Sequence, residues 1–412
     1  MTRRCCAAAL LVTFWLTGIG TVEAGLVDAP GENLEVSLVT YGPGDIYWER
    51  FGHNAIEIRD AASGQAVNFN YGIFDFDERG FLLNFARGHM HYMIDAVRSD
   101  LDEQFYVDGG RSVTRQQLAL SGAQAAMLRD FLLWNMLPEN ARYNYDYLTD
   151  NCSTRVRDAL NRVLDGRLQR LFTQRAAGMT YREQIDRLMG GLPWMMLPMD
   201  LGLGPFADQP LTKWQESFLP VVLQEQLRSA RIGDGDGVPR PLIAAEQVIA
   251  PNRLIAPSAT PPDLRPPLSL AGLTIAALIV VSRRRLPLAN ATLAVLYLLL
   301  AGLAGLFLLG LWALTLHRAA WANANLLLFN PLAFALLRPA WRSRRGVAAS
   351  RFAGILIAAQ LSAAAFAVML HAMPFATQRN QPWLLFAIPI WCALAWSLLA
   401  HDRRFHARQP SA

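Results

Sequence analysis

The chain has 412 residues, 53% of them hydrophobic, and a mean hydropathy of +0.19. That is too apolar for an ordinary soluble protein and implies a soluble part joined to a membrane part. The net charge of +5 does not mark a nucleic-acid binder: residues 25–262 carry 30 acidic and 22 basic side chains, while 264–401 carry no acidic one, so the basic excess lies between apolar segments and reports membrane topology.

The chain opens Met1-Thr-Arg-Arg, continues with an apolar run from Cys5 to about Gly20, and reaches small residues around Ala24. This is the order of a secretory signal over residues 1–24, of the general export type because Arg3-Arg4 lacks the rest of a twin-arginine pattern. Cys5 and Cys6 precede the apolar run, the wrong place for a lipidation box. A soluble domain is expected over 25–250. Asn33–Tyr41 alternates as a strand and is broken by Gly42-Pro-Gly44. His53–Arg59 and Ala66–Tyr71 read as two more strands, joined by the Ala62-Ser-Gly64 turn. His89–Val97 is again strand-like and is expected to pair with Ser112–Leu120 through the Asp108-Gly-Gly110 turn. Ser121 caps a helix that runs to Leu137 before Pro138. Asn151 is a good N-cap for a helix whose stripe is Val156, Leu160, Val163 and Leu164, which puts Cys152 at its first position. Leu188–Phe206 is very apolar but interrupted by Gly and Pro, as a buried connector or a loop on a bilayer surface would be. Leu219–Leu227 is a further helix.

Residues 251–267 are a Pro-rich linker. Over 268–400 about five transmembrane helices are expected: Leu268–Ser282, Leu288–Leu316, Asn325–Leu337, Phe352–Leu370 and Trp383–Ala400. With five spans, eleven arginines (283–285, 338, 342, 344, 345, 351, 403, 404, 408) fall on one side and three (265, 318, 379) on the other. The positive-inside rule then puts residues 25–265 in the periplasm, the spans in a bacterial inner membrane as a multi-pass protein, and 401–412 in a cytoplasmic tail. The spans carry no acidic residue, which speaks against proton or ion transport and for an anchor. Cys392 reads as a packing residue of the last span.

Of four cysteines, two lie in the signal and one in a span, so Cys152 has no intrachain disulfide partner in an oxidising compartment. A lone thiol can be buried and inert. At a helix N-terminus, however, free N–H groups and the dipole favour thiolate over thiol, and the same N–H groups can hold an oxyanion. A thiol nucleophile needs a base, and the domain offers His53, His89 and His91. His53 starts a strand after Gly52, where the missing side chain permits close backbone approach. Asn68 or Asn70 on the next strand can orient its ring. A strand-borne His with a helix-start Cys is the papain-like arrangement, here in permuted order. His89 and His91 share a strand face and form a conceivable zinc pair with His53 or Cys152, but no CxxC, HExxH or carboxylate cluster supports a metal, and no cofactor is expected.

Tyr41-Gly-Pro-Gly-Asp45, Arg50-Phe-Gly-His53, Asn70-Tyr-Gly72, Phe85-Ala-Arg-Gly88 and Tyr147-Leu-Thr-Asp-Asn-Cys-Ser-Thr154 follow one another in the order seen in the periplasmic domain of the Lnb-type lipoprotein N-acyltransferases, which this chain resembles over about 33–230. That family looks like permuted NlpC-type thiol enzymes. The resemblance implies an α+β, papain-like periplasmic domain followed by an all-α transmembrane bundle, with Cys152 as nucleophile and His53 as its base. Asn70 is the candidate orienter and Asn151 the cap and candidate oxyanion site. Tyr71 and Tyr147, within the motifs, and Arg50 and Arg87, which could meet a phosphate, are the candidate substrate contacts. The implied reaction moves an acyl chain from a phospholipid donor through a Cys152 thioester to the N-terminal amine of a lipoprotein acceptor. A periplasmic thiol peptidase or amidase, a phospholipase-like hydrolase and a non-catalytic membrane scaffold are the alternatives.

Overall fold

The structure is a computed structural model that describes residues 24–75, 77–233, 238–374 and 378–399. The expected signal up to residue 23 and the tail 401–412 lie outside the described residues. The chain folds as two compact units. The first holds the chain through Phe85, His89–Met179 and Pro210–Pro257; the second holds Ala86–Gly88, Thr180–Gln209 and the chain from Ser258.

The first unit is built on a seven-stranded sheet in which every neighbouring pair is antiparallel. Its strands are β1 (Leu34–Tyr41), β2 (His53–Asp60), β3 (Ala66–Ile73), β4 (His91–Arg98), β5 (Val113–Leu118), β6 (Arg142–Asn144) and, after a two-residue pair β7 (Arg231–Ile232) and β8 (Arg240–Pro241), β9 (Ile243–Ala250). The order across the sheet is β6-β4-β3-β2-β1-β5-β9. The period-2 alternation of strands sends Leu38, Ile56, Ile58, Phe69 and Tyr71 to one face, where they join Val156 and Leu160 of the helix Cys152–Val163 and Leu128 and Leu132 of the helix Gly122–Asn135. Val39, Tyr41, Ala55 and Val113 point to the other face and pack with Tyr106 of the helix Ser99–Asp108. The central strands are therefore covered on both sides, which explains their nearly continuous burial. Fully burying an Ile or Phe of this kind contributes about 1.5–3 kcal/mol, and Ile56→Ala costs about 2–5 kcal/mol.

Two expectations change here. His89–Val97 and Ser112–Leu120 do not pair: β4 lies between β3 and β6, and β5 between β1 and β9. The residues between them form the helix Ser99–Asp108, with Asp100 and Asp102 in its first turn, where a carboxylate suits the exposed N–H groups. Leu188–Phe206 is mostly helical, with Pro193–Gly202 opened by a proline in its first turn and Pro205–Asp208 as a 3-10 turn; its place is in the second unit. The Ser121 and Asn151 caps form as the sequence indicates, both as reciprocal capping boxes.

Among its described residues the second unit has four helices long and apolar enough to cross a membrane: Arg265–Arg285, Pro287–Leu314, Arg351–Leu370 and Gln381–Leu399. Asn325–Leu337, expected as a fifth, instead forms the 3-10 turns Ala324–Leu327 and Pro331–Leu336, followed by the short helix Leu337–Ser343. Pro331 and the amide side chains of Asn323 and Asn330, which cap the two turns, explain why no long helix forms. This irregular stretch still runs the length of its neighbour: a Cβ on Gly305 would meet Asn330 backbone and one on Gly302 the Phe334 ring, so it passes antiparallel to the helix Pro287–Leu314. Its freed carbonyls are satisfied by side chains, with Gln360 Nε2 donating to the Leu327 carbonyl at 2.9 Å and Trp391 Nε1 to that of Leu328 at 2.9 Å. Non-helical backbone among membrane helices requires such partners. The first and last long helices run in the same direction, since Gly272 abuts Phe386 and Arg283 Nε donates to the Ser397 carbonyl.

Candidate active site

The site lies where β2 begins. Gly52 takes φ +83°, and a Cβ there would sit 2.9 Å from the Tyr41 carbonyl, so a side chain is excluded and the chain enters β2 tightly against β1. His53 is the next residue and pairs with Tyr41 in the ladder. Two residues on, Ala55 faces Asn70 of β3, which puts His53 and Asn70 on the same sheet face. His53 Nε2 and Asn70 Oδ1 are 2.9 Å apart. Asn70 Nδ2 donates to Asp102 Oδ2 at 3.1 Å. Asp102 also accepts from the Tyr41 hydroxyl at 2.7 Å and from Asn68 Nδ2 at 3.0 Å. A carboxylate can only accept, so the Asn70 amide must turn its NH2 to Asp102 and its oxygen to His53. Nε2 of His53 is then the protonated nitrogen, and Nδ1 remains for another partner.

That partner is Cys152. The thiol is 9% exposed, at the first turn of its helix, and hydrogen-bonded to His53. Burial opposes the thiolate, but the His53 charge and hydrogen bond and the backbone N–H groups of Asn54 and Ser153 outweigh it and hold the thiol below its ordinary range. Burial likewise opposes the imidazolium. The Cys152 thiolate and its hydrogen bond, then Asn70 and the Asp102 charge, outweigh it and raise His53. Each partner favours the charged form of the other. The ring is also held flat, with Tyr41 and Tyr106 nearly parallel to it at centroid distances of 5.9 and 6.0 Å.

Residues 23–186 match the family model of the Lnb N-terminal periplasmic domain, and residues 264–402 match that of the Lnb transmembrane domain. The chain belongs to the Lnb family. Searches among curated proteins and solved structures give no match. Lnb membership makes this a membrane-anchored protein with a periplasmic domain and a lipoprotein-modifying role.

In this Lnb protein the other residues singled out from sequence have varied placements. Asn151 caps the Cys152 helix, accepting from the N–H groups of Ser153 and Thr154, while its own NH2 donates to the carbonyls of Tyr147 and Phe218; no donor of its side chain is left for an oxyanion. Tyr71 is buried on the far face and donates to Asn135. Tyr147 is half-buried before the cap. Arg50 is buried, with its guanidinium donating to the Gly44 carbonyl. Arg87 is exposed at the end of the helix Phe81–Arg87. His89 and His91 are exposed where β4 starts. Asn68 does not reach His53 directly; it bonds Tyr41, Asp102 and Ser99. Sequence reasoning missed Asp102, Tyr41 and Tyr106, because each meets His53 or Asn70 only through long-range folding. The acidic first turn after β4 was the one local hint.

Proposed function

We propose that this Lnb protein is a thiol acyltransferase that takes an acyl chain from a phospholipid and passes it to the N-terminal amine of a lipoprotein. The observation that carries the reading is the buried Cys152–His53–Asn70 array, in which Cys152 is lowered and His53 raised from their ordinary values. The thiolate sulfur attacks the ester carbonyl carbon, and negative charge moves to the carbonyl oxygen. The N–H of Asn54, aimed at the sulfur, is a donor beside the place where that oxyanion forms, since the N–H of Ser153 is held by the Asn151 cap. The C–O bond breaks, His53 gives its proton to the departing lysophospholipid oxygen, and a thioester remains on Cys152. The lipoprotein amine then attacks the thioester, His53 takes a proton from the nitrogen, and the thiolate leaves. Asn70 keeps the ring in the tautomer that both halves need. The membrane unit fits this chemistry, because both substrates reside in a bilayer and tethering raises their encounter frequency.

The test is to incubate the full-length protein with labelled phospholipid, quench in acid and examine the Cys152 peptide by mass. The expected result is an acyl adduct absent from Cys152→Ser and His53→Ala. An unmodified thiol together with cleaved peptides or amides would replace this reading with a hydrolase acting on those bonds. Free fatty acid released through the adduct, with no amine acylated, would make it a phospholipase-like hydrolase.

A further inference from the structure

Between the thiol and the helix Phe81–Arg87 the first unit carries a file of aromatic rings. Gly72, the last motif residue of β3, has no side chain. A Cβ there would lie 3.6 Å from that of Cys152 and 3.5 Å from the Tyr145 ring, so Gly72 is flanked by the thiol residue and by Tyr145. From Tyr145 the rings continue to Tyr92 at 4.5 Å between centroids, to Phe74 at 5.0 Å, to Phe81 at 5.8 Å and to Phe85 at 6.3 Å. Phe85 is exposed, Phe74 and Phe81 are half-buried and Tyr92 is buried, so the file runs from the surface inward. Tyr47 stands close enough to Tyr92 to act on its phenol, and it belongs to an exposed apolar run, Ile46, Tyr47 and Trp48. The file ends on a helix whose outer side is apolar: Leu82 is 80% exposed, Leu83 53% and Phe85 47%. Such a patch on a soluble face marks a binding surface.

The helix Phe81–Arg87 does not end within the first unit. Its last turn runs into Ala86–Gly88, which belongs to the second unit. There the Arg87 carbonyl accepts from the Leu316 N–H at 2.8 Å, and Gly88, at φ +81°, abuts the Leu316 backbone. Leu316 lies two residues past the helix Pro287–Leu314, whose end carries exposed Trp312 and Leu314. A Trp near the end of an apolar helix is a mark of the membrane–water interface.

We infer that Leu82, Leu83 and Phe85 seat in the lipid surface and that the file Phe81, Phe74, Tyr92 and Tyr145 is the groove through which a long acyl chain reaches Cys152. This rests on the acyl-transfer reading for the identity of the ligand, and it assigns to that reaction an entry point and a chain-binding surface. The aromatic faces bind methylene groups without hydrogen-bond demands, so the groove selects for chain rather than headgroup.

The test uses the full-length protein in vesicles of phosphatidylethanolamine and phosphatidylglycerol that contain a phospholipid with a photoreactive diazirine in its acyl chain. Irradiation of Cys152→Ser, followed by peptide mapping, is expected to give adducts on Phe74–Phe85 and on the Tyr92 peptide. Adducts confined to the four long helices would overturn the inference. In the same vesicles the double variant Leu82→Glu/Leu83→Glu is expected to form the Cys152 adduct about tenfold more slowly or worse, since charges do not enter the lipid surface readily, while iodoacetamide still alkylates the thiol. Leu82→Met/Leu83→Met is expected to behave as the parent. A parent rate in the glutamate variant would also overturn the inference. If the parent protein forms no acyl adduct but crosslinks to the file, acyl transfer fails and the chain-binding groove stands; the reverse pattern sinks the groove alone.

Discussion

The two units bury polar groups in different ways. In the first, the backbone is satisfied largely by an antiparallel sheet, and buried polar side chains of β1, β2, β3 and the helix Ser99–Asp108 join into a network that ends on a thiol: Asp102, Asn70, His53, Cys152. In the second, apolar helices are interrupted by 3-10 turns, and the amides of Asn325, Asn330, Gln360 and Asn380 repair the backbone or one another. Its charged cluster is at the segment Thr180–Gln209, where Arg182 is buried between Asp200 and Asp208 with N···O distances of 2.6 and 2.8 Å. Trp383 donates to Asp200 at 2.7 Å. The contrast teaches that buried polarity converges on a single thiol in one unit and is spread through the packing of the other.

The sharpest way to break that comparison is at the thiol. Cys152→Ser is expected to reduce acyl adduct formation by about a thousandfold or more while leaving the melting temperature of the protein nearly unchanged. A large loss of stability with it would mean that Cys152 is structural. Arg182→Met should do the reverse. Removing the guanidinium leaves Asp200 and Asp208 as uncompensated buried carboxylates, at a cost of about 3–5 kcal/mol. Thermal unfolding in detergent would show the loss, and an unchanged transition would sink the packing role.

A smaller effect is expected at Asn70→Ala, which frees the imidazole from its orienter. Adduct formation should fall by at least about tenfold, with the pH dependence moving as well. In the parent protein, alkylation of Cys152 should persist below the ordinary thiol pKa of about 8.5, because His53 favours the thiolate. In His53→Ala the half-point should rise toward or above that value. An unmoved half-point would mean that no ion pair forms.

A pH-dependent effect concerns Asp186, which is hydrogen-bonded to Asp200. Burial, then the Asp200 charge, push its carboxyl up to about 8 against the pull of Arg182. Its Oδ1 is buried without a partner, which a neutral acid tolerates better than a carboxylate. The folded carboxyl keeps its proton up to about pH 8, whereas the unfolded one releases it near about 4, so stability falls as pH rises through that window. Asp186→Asn should flatten this dependence, as read from melting temperatures in detergent at both ends of the window. An equally steep slope in the variant would assign it elsewhere.

Much of this was legible in the sequence where the signal is local. Alternation located β1, β2 and β3 within about two residues, and caps located the helices at Ser121 and Asn151. Cys152 and His53 stood out because the compartment leaves a lone thiol unexplained and only three histidines compete for the role. Asn70 could not be separated from Asn68, since both face the same side of β3; the register decides it, because Asn70 opposes Ala55, two residues from His53, while Asn68 opposes Glu57. The irregular pass was read as a span because Asn325–Leu337 is apolar in composition, and composition does not register a pair of asparagine caps. The helix Phe81–Arg87 was missed because seven residues give too short a window for a helical period.

The edge of the sheet has a practical consequence for any soluble fragment. β9 pairs with β5, yet it comes from Ile243–Ala250, after all the helices of the first unit and just before the chain enters the first apolar helix. A protein cut at residue 186, where the periplasmic family match ends, would expose β5 as a bare edge with a row of unpaired N–H and C=O groups, a template for aggregation. A fragment meant to stay in solution should therefore be carried to at least Ala250.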